Sequence, residues 1–353
     1  MRESEEKMAN EKWIKLPGMV DVHVHLRVPG GEHKEDFRTG TAAALAGGVT
    51  QVLAMPNTTP PLTDLETWQR YQSQAGFEEL CPIYLYCGAT RETLEQLPRL
   101  GRAAKALKIY LDPTYGQMKV DNEEDLLRIA QTWPRDKVLA LHAEGEHIRM
   151  GIRVAEKAAR PVHFCHVSRK EEIEWIATAK RDGLPVTCEV TPHHLFLMEA
   201  DAQRLGNLGD MRPRLATQRD VEGLWDRIGG TIDMIATDHA PHTLKEKSAA
   251  QNPPPGVPGL ESALPLMLTA VAEGRLSIER LTALMHDNPR RIFNLPEQAD
   301  TWVEVDPQES YTFPDHPLYT KCGWSPFNGM QMTGRIKRVV LNGREVVKDG
   351  IIQ

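Results

Sequence analysis

The chain has 353 residues, of which 41% are hydrophobic and 26% are charged, and its formal net charge is −7. This composition is typical of a globular protein with a large core. No basic cluster is present to neutralise phosphates and no apolar run reaches the ~20 residues that span a bilayer, so the sequence indicates neither a nucleic-acid partner nor a membrane segment. Five cysteines, an odd number in a long chain, do not form a disulfide framework and indicate a reducing, cytoplasmic location.

Short β-branched runs alternate with amphipathic helical stretches from residue 19 to about residue 245. Eight such runs, each followed by a helical segment, predict an α/β fold of the (β/α)8 TIM-barrel type. An open doubly wound sheet is the alternative, but residues 25–31 lack the glycine-rich phosphate turn of such sheets. The predicted strands are 19–26, 49–55, 81–89, 106–111, 137–143, 161–167, 184–190 and 231–237. The predicted helices are 37–47, 64–75, 122–133, 145–159, 169–182, 218–228, 261–273 and 277–293.

The tail of the chain, from about residue 301, is strand-like. Residues 335–340 and 345–347 flank an Asn342-Gly343 turn, which is typical of a hairpin. We therefore expect a small flanking β-rich subdomain, formed mainly by the C-terminal segment. The predicted boundaries are 1–12 for a linker or an added segment, 13–300 for the barrel and 301–353 for the β-rich extension.

Two histidines alternate in the first predicted strand. Side chains in a β-strand alternate between faces, so His23 and His25 point one way while Val22 and Val24 point the other. Two imidazoles on one face form half of a metal site, because neutral histidine is a common nitrogen ligand. A surface with two solvated histidines is the alternative interpretation, and short motifs of this kind are often false positives.

Further polar side chains lie where the other predicted strands end. A TIM barrel carries its active site at the C-terminal ends of its strands. Unpaired polar groups buried there would be costly, so their accumulation predicts a functional site rather than core packing. The residues are Arg27, Asn57, Lys108, His142, Cys165, His166, Glu189, His193, His194, Asp238 and His239.

Lys108 lies within the apolar run 106–111, where burial of an ammonium group is unfavourable. A buried lysine with a lowered pKa can react with CO₂, and the resulting carbamate is an anion that can bridge two metal ions. A lysine whose charged end reaches solvent from a strand end is the alternative. With histidines on the first, fifth and sixth predicted strands, the sequence favours the bridging carbamate.

The combination of His23, His25, Lys108, His142, His166 and Asp238 resembles the binuclear zinc site of the amidohydrolase superfamily. Residues 21–27, 55–58 and 237–242 resemble the dihydroorotases within it. Longer stretches are similar to the dihydroorotase domain of the animal multifunctional pyrimidine-synthesis polypeptides (CAD), and the resemblance covers the chain from about Trp13 to its end. These stretches are 34–37, 41–48, 169–173, 185–190 and 288–293.

The resemblance implies a metal centre with two or three zinc ions. It implies that one zinc takes His23, His25, carboxylated Lys108 and Asp238, and that a second takes Lys108, His142 and His166. It also implies a third zinc on Cys165 and Glu189 with a neighbouring histidine. Which histidine completes that third set stays open, and His142, through its second ring nitrogen, is favoured.

The resemblance also implies a substrate and its binding residues. The reaction would be the reversible cyclisation of N-carbamoyl-L-aspartate to L-dihydroorotate, with Asp238, Lys108 and Thr114 as catalytic residues. Thr114 belongs to a flexible loop, 112–120, that closes over substrate. In that loop Tyr115 replaces the usual phenylalanine and Pro113 adds stiffness, so the kinetics of closure are expected to differ. The implied substrate contacts are Arg27, Asn57 and His242 to the α-carboxylate, with Arg212, Pro255, Gly256, Thr114 and Tyr115 nearby.

Two other functions are compatible with part of this pattern. A hydantoinase or dihydropyrimidinase shares the metals and the cyclic-amide chemistry but does not need Arg27 and Asn57 to hold a carboxylate. A scaffold that has lost catalysis would lose metal ligands, whereas every ligand position is filled here. The resemblance further implies a homodimer and additional pyrimidine-pathway domains in a longer polypeptide. Only about eighteen residues precede the first strand, so an excised domain, or a homologue with a shortened flanking sheet, is expected.

Overall fold

A computed structural model describes residues 13–113 and 118–353. Eight parallel strand positions form the barrel, and the third position is divided by Tyr86 into β4 and β5. The first and last positions are joined because His25 N donates to His239 O at 2.7 Å and Val24 forms a parallel bridge with His239. The barrel strands are β2 (Met19–Val24), β3 (Val49–Ala54), β4 (Ile83–Leu85), β5 (Cys87–Gly88), β6 (Ala106–Tyr110), β7 (Val138–His142), β8 (Val162–Phe164), β9 (Val186–Val190) and β10 (Met234–Ile235).

Helices follow the strands and cover the outside of the barrel. Several begin at side-chain caps, such as Asp64 and Asn122, whose oxygens accept a backbone N–H of the first turn. The helices are α1 (Phe37–Ala46), α2 (Leu65–Glu78), α3 (Leu97–Ala103), α4 (Glu123–Thr132), α5 (Glu146–Ala158), α6 (Lys170–Arg181), α7 (Pro192–Phe196), α8 (Glu199–Leu205), α9 (Gln218–Trp225), α10 (Leu244–Lys247), α11 (Leu260–Ala272), α12 (Ile278–Thr282) and α13 (Asn288–Phe293). The predicted TIM barrel is therefore confirmed.

Some elements differ from the sequence prediction. The predicted helix 277–293 is interrupted by a π-helical turn, Ala283–Asp287, before Pro289, which cannot donate a backbone hydrogen bond. Only two residues of the predicted strand 231–237 have strand geometry. Helix α3 and the short helices α7 and α8 were not predicted, because none of them carries a long apolar period.

A five-stranded antiparallel sheet lies beside the barrel. It comprises β1 (Ile14–Pro17), β11 (Trp302–Phe313), β12 (Met330–Leu341), β13 (Arg344–Lys348) and β14 (Ile351–Ile352), in that order. The predicted division placed residues 14–17 in the barrel, whereas the structure pairs them with β11, Ile14 opposite Val305. The sheet is attached to α11, where Thr333 N donates to Thr269 Oγ1 at 2.9 Å. The β-rich subdomain is confirmed. Its edge strand β1 comes from the N-terminal side of the barrel, and its other four strands come from the C-terminal segment.

The barrel interior forms a closed apolar floor under the strand ends. Ala106, Ala140 and Ala236 belong to one buried cluster with Val20 and Val22 of β2. Side chains two residues further along a strand lie on the same face. This period places Lys108, His142 and Asp238 immediately above the three alanines, at the C-terminal end of the barrel.

Strand β2 does not keep simple alternation. Val20 and Val22 belong to the interior cluster, but Val24 belongs to the larger cluster, and a register irregularity lies between Asp21 and Val24. Such a bulge re-aims the side chains beside it. The prediction that Val22 and Val24 share a face was therefore wrong, and the bulge allows His23 to enter the site.

No helix of the described residues is both long and apolar enough to cross a bilayer.

Candidate metal centre and substrate pocket

The C-terminal strand ends surround a polar pocket of about 430 Å³, including space that opens to solvent. Ten of its twelve lining residues were predicted from sequence, and Tyr110 and Ala240 were not. Tyr110 follows Lys108 by two residues on β6, so a strict reading of the strand period would have found it. The lining residues are His23, His25, Arg27, Asn57, Tyr110, His142, His166, Arg212, Asp238, Ala240, Pro255 and Gly256.

Asp238 is the meeting point of the two histidines of β2. Its Oδ1 lies 3.2 Å from His23 Nε2 and 3.0 Å from His25 Nε2. Burial opposes a charge on Asp238, but the neighbouring His23 and His25 hold the pKa of its carboxyl well below the usual range. Asp238 is therefore ionised and acceptor-only, which is the state that a metal ligand requires.

Three residues of the site have backbone conformations that L-residues adopt rarely. The φ angles are 62° at Arg27, 36° at His166 and 45° at Asp238. Positive φ costs a non-glycine residue of the order of 1–3 kcal/mol and concentrates at functional sites. The fold thus accepts backbone strain at the strand ends where ligands and substrate contacts were predicted.

His142 and His166 form the second half of the centre. His142 Nδ1 lies 2.8 Å from His166 Nε2, and both rings are buried. Burial lowers the pKa of both imidazoles, and that of His166 falls well below its usual value with help from His142 and Lys108. Both rings are therefore neutral and keep a lone pair for a metal ion.

Lys108 is the strongest sign that a group is to be bound here. Its side chain is fully buried, and its Nζ has no hydrogen-bond partner among the residues that the structure describes. His166 Nδ1 likewise has no hydrogen-bond partner among the described residues. An unpaired ammonium in an apolar interior is among the costliest groups in a protein. A carbamate between metal ions removes that cost, so these residues fit the implied metal centre.

A further group of ligands lies behind His23. His23, Cys165 and Glu189 each offer a ligand atom, and these atoms lie within 4.8 Å of one another. His23 Nδ1 contacts Glu189 Oε1, while Glu189 Oε2 lies 3.0 Å from His163 Nε2. The structure therefore brings His23, and not the favoured His142, to Cys165 and Glu189. His163 was not predicted, and only its position on β8 could have indicated it.

The charge on His23 agrees with a cation between these carboxylates. Burial and the Lys108 ammonium oppose its protonation, yet Asp238 and Glu189 raise the pKa of His23 to about 10. One ring nitrogen faces each carboxylate. Two anions on opposite edges of one imidazole favour either a proton or a metal ion at each edge.

The substrate side of the pocket carries cations held by backbone and histidine acceptors. Arg27 Nε donates to Pro241 O at 3.0 Å, and Arg27 Nη2 lies 3.0 Å from His242 Nε2. Lys34 Nζ lies 3.2 Å from His242 Nδ1, a contact that sequence reasoning missed. Burial, Arg27 and Lys34 together keep the pKa of His242 well below its usual range, so its ring is neutral.

Asn57 and Gly256 complete this side. Asn57 Oδ1 lies 2.9 Å from His25 Nδ1, so a predicted substrate contact touches a predicted metal ligand. Gly256 has φ of +133°, and a Cβ there would lie 2.5 Å from Ala240 O. Only glycine fits this close approach. Thr114 and Tyr115, the predicted closing residues, lie outside the described residues.

The amidohydrolase family model matches residues 14–346, so the chain belongs to the amidohydrolase family. Its relatives include proteins named as dihydroorotases and multifunctional proteins. A dihydroorotase from Halobacterium salinarum is 33% identical over 359 residues, which cover 91% of this chain and 83% of that protein. The multifunctional protein CAD of Squalus acanthias is 48% identical over 98% of this chain, but the chain spans only 15% of that relative's length. The resemblance drawn from the sequence is thus confirmed.

Two solved structures show how the fold is shared. An L-hydantoinase (dihydropyrimidinase) from Arthrobacter aurescens superposes with a TM-score of 0.91 at 25% identity, covering 96% of this chain and 86% of that one. An inactive dihydroorotase-like domain of a CAD-like protein from Chaetomium thermophilum has a TM-score of 0.82 at 25% identity, covering 97% and 96%. The fold alone therefore does not separate an active from an inactive member.

Proposed function

We propose that this chain is a zinc-dependent dihydroorotase, which interconverts N-carbamoyl-L-aspartate and L-dihydroorotate. One observation carries the proposal: His23, His25, His166 and Asp238 line the same pocket as Arg27 and Asn57. The first set suits metal-assisted hydrolysis of a cyclic amide. The second suits an α-carboxylate, because a guanidinium fork binds a planar carboxylate in two-point contact.

The residues that would hold zinc are assigned on the contacts above. Bound zinc ions would lower the pKa of a water molecule towards ~7 and polarise the ring carbonyl. We assign one ion to His23, His25, carboxylated Lys108 and Asp238, and a second to Lys108, His142 and His166. A third would take Cys165, Glu189 and the second nitrogen of His23.

Asp238 is the residue that moves the proton. It is ionised, buried and within 3.0–3.2 Å of both β2 histidines, so its carboxylate would lie beside a nucleophilic water molecule. In hydrolysis it would accept the proton of the attacking water and pass it to the departing ring nitrogen. Ring closure uses the same proton in the opposite direction.

The carboxylate of the substrate would be oriented by Arg27, Asn57 and neutral His242. His242 Nε2 and Nδ1 lie 3.0 Å from Arg27 Nη2 and 3.2 Å from Lys34 Nζ, so the neutral ring would position these two cations beside the carboxylate without adding a charge of its own. Dihydrouracil and hydantoin lack this carboxylate. Discrimination between these cyclic amides therefore depends on this end of the pocket and not on the metal centre.

The test compares turnover of dihydroorotate, dihydrouracil and hydantoin by the zinc-loaded protein. We expect dihydroorotate to be preferred by about 100-fold or more in kcat/KM. Arg27→Lys keeps the charge but loses the fork, and should raise KM for dihydroorotate about tenfold. Arg219→Lys, on the exposed surface of α9, is the matched control. Faster turnover of dihydrouracil would contradict the assignment, and negligible bound zinc would favour a scaffold.

We also propose a cytoplasmic homodimer that acts beside other pyrimidine-pathway domains. The support is the likeness to the multifunctional relatives, of which the chain spans 15%. Sedimentation of the purified chain at several concentrations tests the dimer. A monomer at all concentrations would contradict that part of the proposal.

A further inference from the structure

Lys247 is a buried cation that lies outside the metal centre and does not line the pocket. It ends the short helix α10, and only 1% of it is exposed. Among the described residues, no carboxylate is paired with its ammonium. Its Nζ instead donates to three backbone carbonyls: Asp210 O at 2.9 Å, Pro254 O at 3.1 Å and Gly256 O at 3.1 Å.

These three acceptors belong to two segments that carry substrate contacts. Asp210 O also accepts Gly256 N–H at 2.9 Å, so the two segments meet directly at the lysine. Asp210 in turn holds Arg212, whose Nη1 lies 2.5 Å from Asp210 Oδ1. Pro255, between two of the bonded carbonyls, lines the pocket. A single ammonium thus links Arg212 to Pro255 and Gly256.

A second connection leads from Lys247 to His242. The Nζ lies 5.8 Å from the centre of the Trp324 ring, and Trp324 Nε1 donates to His242 O at 2.8 Å. Burial lowers the pKa of Lys247 to about 8, against the influence of Asp210. Keeping a cation here costs free energy, and an apolar side chain of similar length would avoid that cost. What the ammonium group supplies, and an apolar side chain would not, is three N–H donors at one point.

We propose that Lys247 is a positioning residue that sets the substrate-carboxylate end of the pocket by joining the 210–212 segment to the 254–256 segment. It touches neither the metal-binding residues nor the reacting atoms. Its loss should therefore weaken binding of substrate in the ground state and the transition state alike, which raises KM and leaves kcat nearly unchanged. This inference rests on the proposed dihydroorotase function.

The test compares Lys247→Met with Lys245→Met, the same change on the same helix at an exposed position. Lys247→Met should raise KM for dihydroorotate on the order of tenfold, with kcat within about threefold of the parent. Orotate binding, measured by calorimetry, should weaken by a similar factor. Lys245→Met should change neither. Zinc content should be the same in all three proteins.

A merely structural role for Lys247 gives a different result. It would reduce the folded fraction, and therefore apparent kcat, with KM and orotate affinity unchanged, and that outcome would overturn the proposal. Lys247→Arg, which keeps a charged donor, should recover part of the KM effect. Thermal unfolding of each variant identifies a failure to fold.

Amide hydrogen exchange separates this proposal from the proposed function. In Lys247→Met, faster exchange should be confined to residues 208–214 and 252–258, whatever the substrate turns out to be. If the parent does not turn over dihydroorotate but these segments loosen, the function is wrong and the positioning role stands. If exchange is unchanged in both segments, the positioning role is wrong.

Discussion

Two buried cations, Arg160 and Lys108, lie near opposite ends of the barrel and are held in opposite ways. At the N-terminal end, fully buried Arg160 donates to the carbonyls of Ala130 at 2.8 Å, Trp133 at 2.7 Å, Pro134 at 3.1 Å and Lys137 at 2.7 Å. At the C-terminal end, Lys108 is equally buried, and among the described residues its Nζ has no hydrogen-bond partner.

The difference separates a structural charge from a functional one. The guanidinium of Arg160 donates to one carbonyl near the end of α4 and to three carbonyls between α4 and β7, so it stabilises the fold. Lys108 has no hydrogen bond among the described residues, although its Nζ lies 5.2 Å from the centre of the Tyr110 ring, and it lies among predicted metal ligands. A buried cation with carbonyl partners, such as Arg160 or Lys247, fits a role in holding backbone segments together, whereas Lys108 fits the binding of another group.

The largest expected effect is at Lys108. Lys108→Gln removes the group that would become the bridging carbamate, and should lower kcat/KM by about 10³-fold or more together with zinc content. The free energy of unfolding of the metal-free protein should not fall, because an unpaired buried ammonium has been removed. Metal analysis, steady-state kinetics and urea unfolding check this. A variant with normal zinc content and activity would show that Lys108 is not functional, and the contrast with Arg160 would be wrong.

Arg160→Met tests the other end. Four carbonyls lose the guanidinium, although Pro134 O still accepts the N–H of Lys137 at 3.2 Å, so the free energy of unfolding should fall by about 3 kcal/mol, while kcat per folded molecule stays unchanged. Arg153→Met, which removes an exposed arginine of α5 paired with Glu123 of α4, is the control and should cost less than about 1 kcal/mol. Urea unfolding measures both variants. Loss of activity without loss of stability in Arg160→Met would show that this cation is functional after all.

A smaller, pH-dependent effect is expected at Glu261, a buried carboxyl whose oxygens accept Tyr319 N and Thr320 N at 2.9 and 3.1 Å. Burial raises the pKa of Glu261 to about 7, above its ordinary value of 4.5. The folded state then holds this proton more tightly than the unfolded state. Its contribution is fully present below pH 4.5 and is lost as the pH rises through 7, by about 3 kcal/mol.

Unfolding free energies measured between pH 4.5 and 8 check this effect. Glu261→Gln, which cannot titrate, should show a flatter profile, whereas Glu279→Gln, on the exposed face of α12, should follow the parent. Identical profiles for all three proteins would mean that Glu261 is charged in the folded state. Glu261 would then be a buried charged carboxylate and not a neutral carboxyl group.

Much of the site was readable from local pattern. Lys108 and His142 each follow an apolar strand residue by two, and Asp238 follows Ala236 by two just beyond β10, so the pattern that predicted them is local. The same pattern predicted all eight strand positions. Lys247 was not found, because in the sequence it is one of several charged residues after His242 and nothing local indicates that it is buried.

The sequence by itself determined the order of strands and helices and the residue types at each strand end, since periodicity and turn chemistry act over a few neighbours. Only the tertiary structure decided which groups meet. The bulge in β2 turns His23 so that one nitrogen faces Asp238 and the other faces Glu189, residues more than 160 positions away. Closure of the barrel brings His23 to Asp238 and Glu189, and packing of the loops brings Lys247 to its three carbonyls. Both depend on long-range geometry that no local pattern encodes.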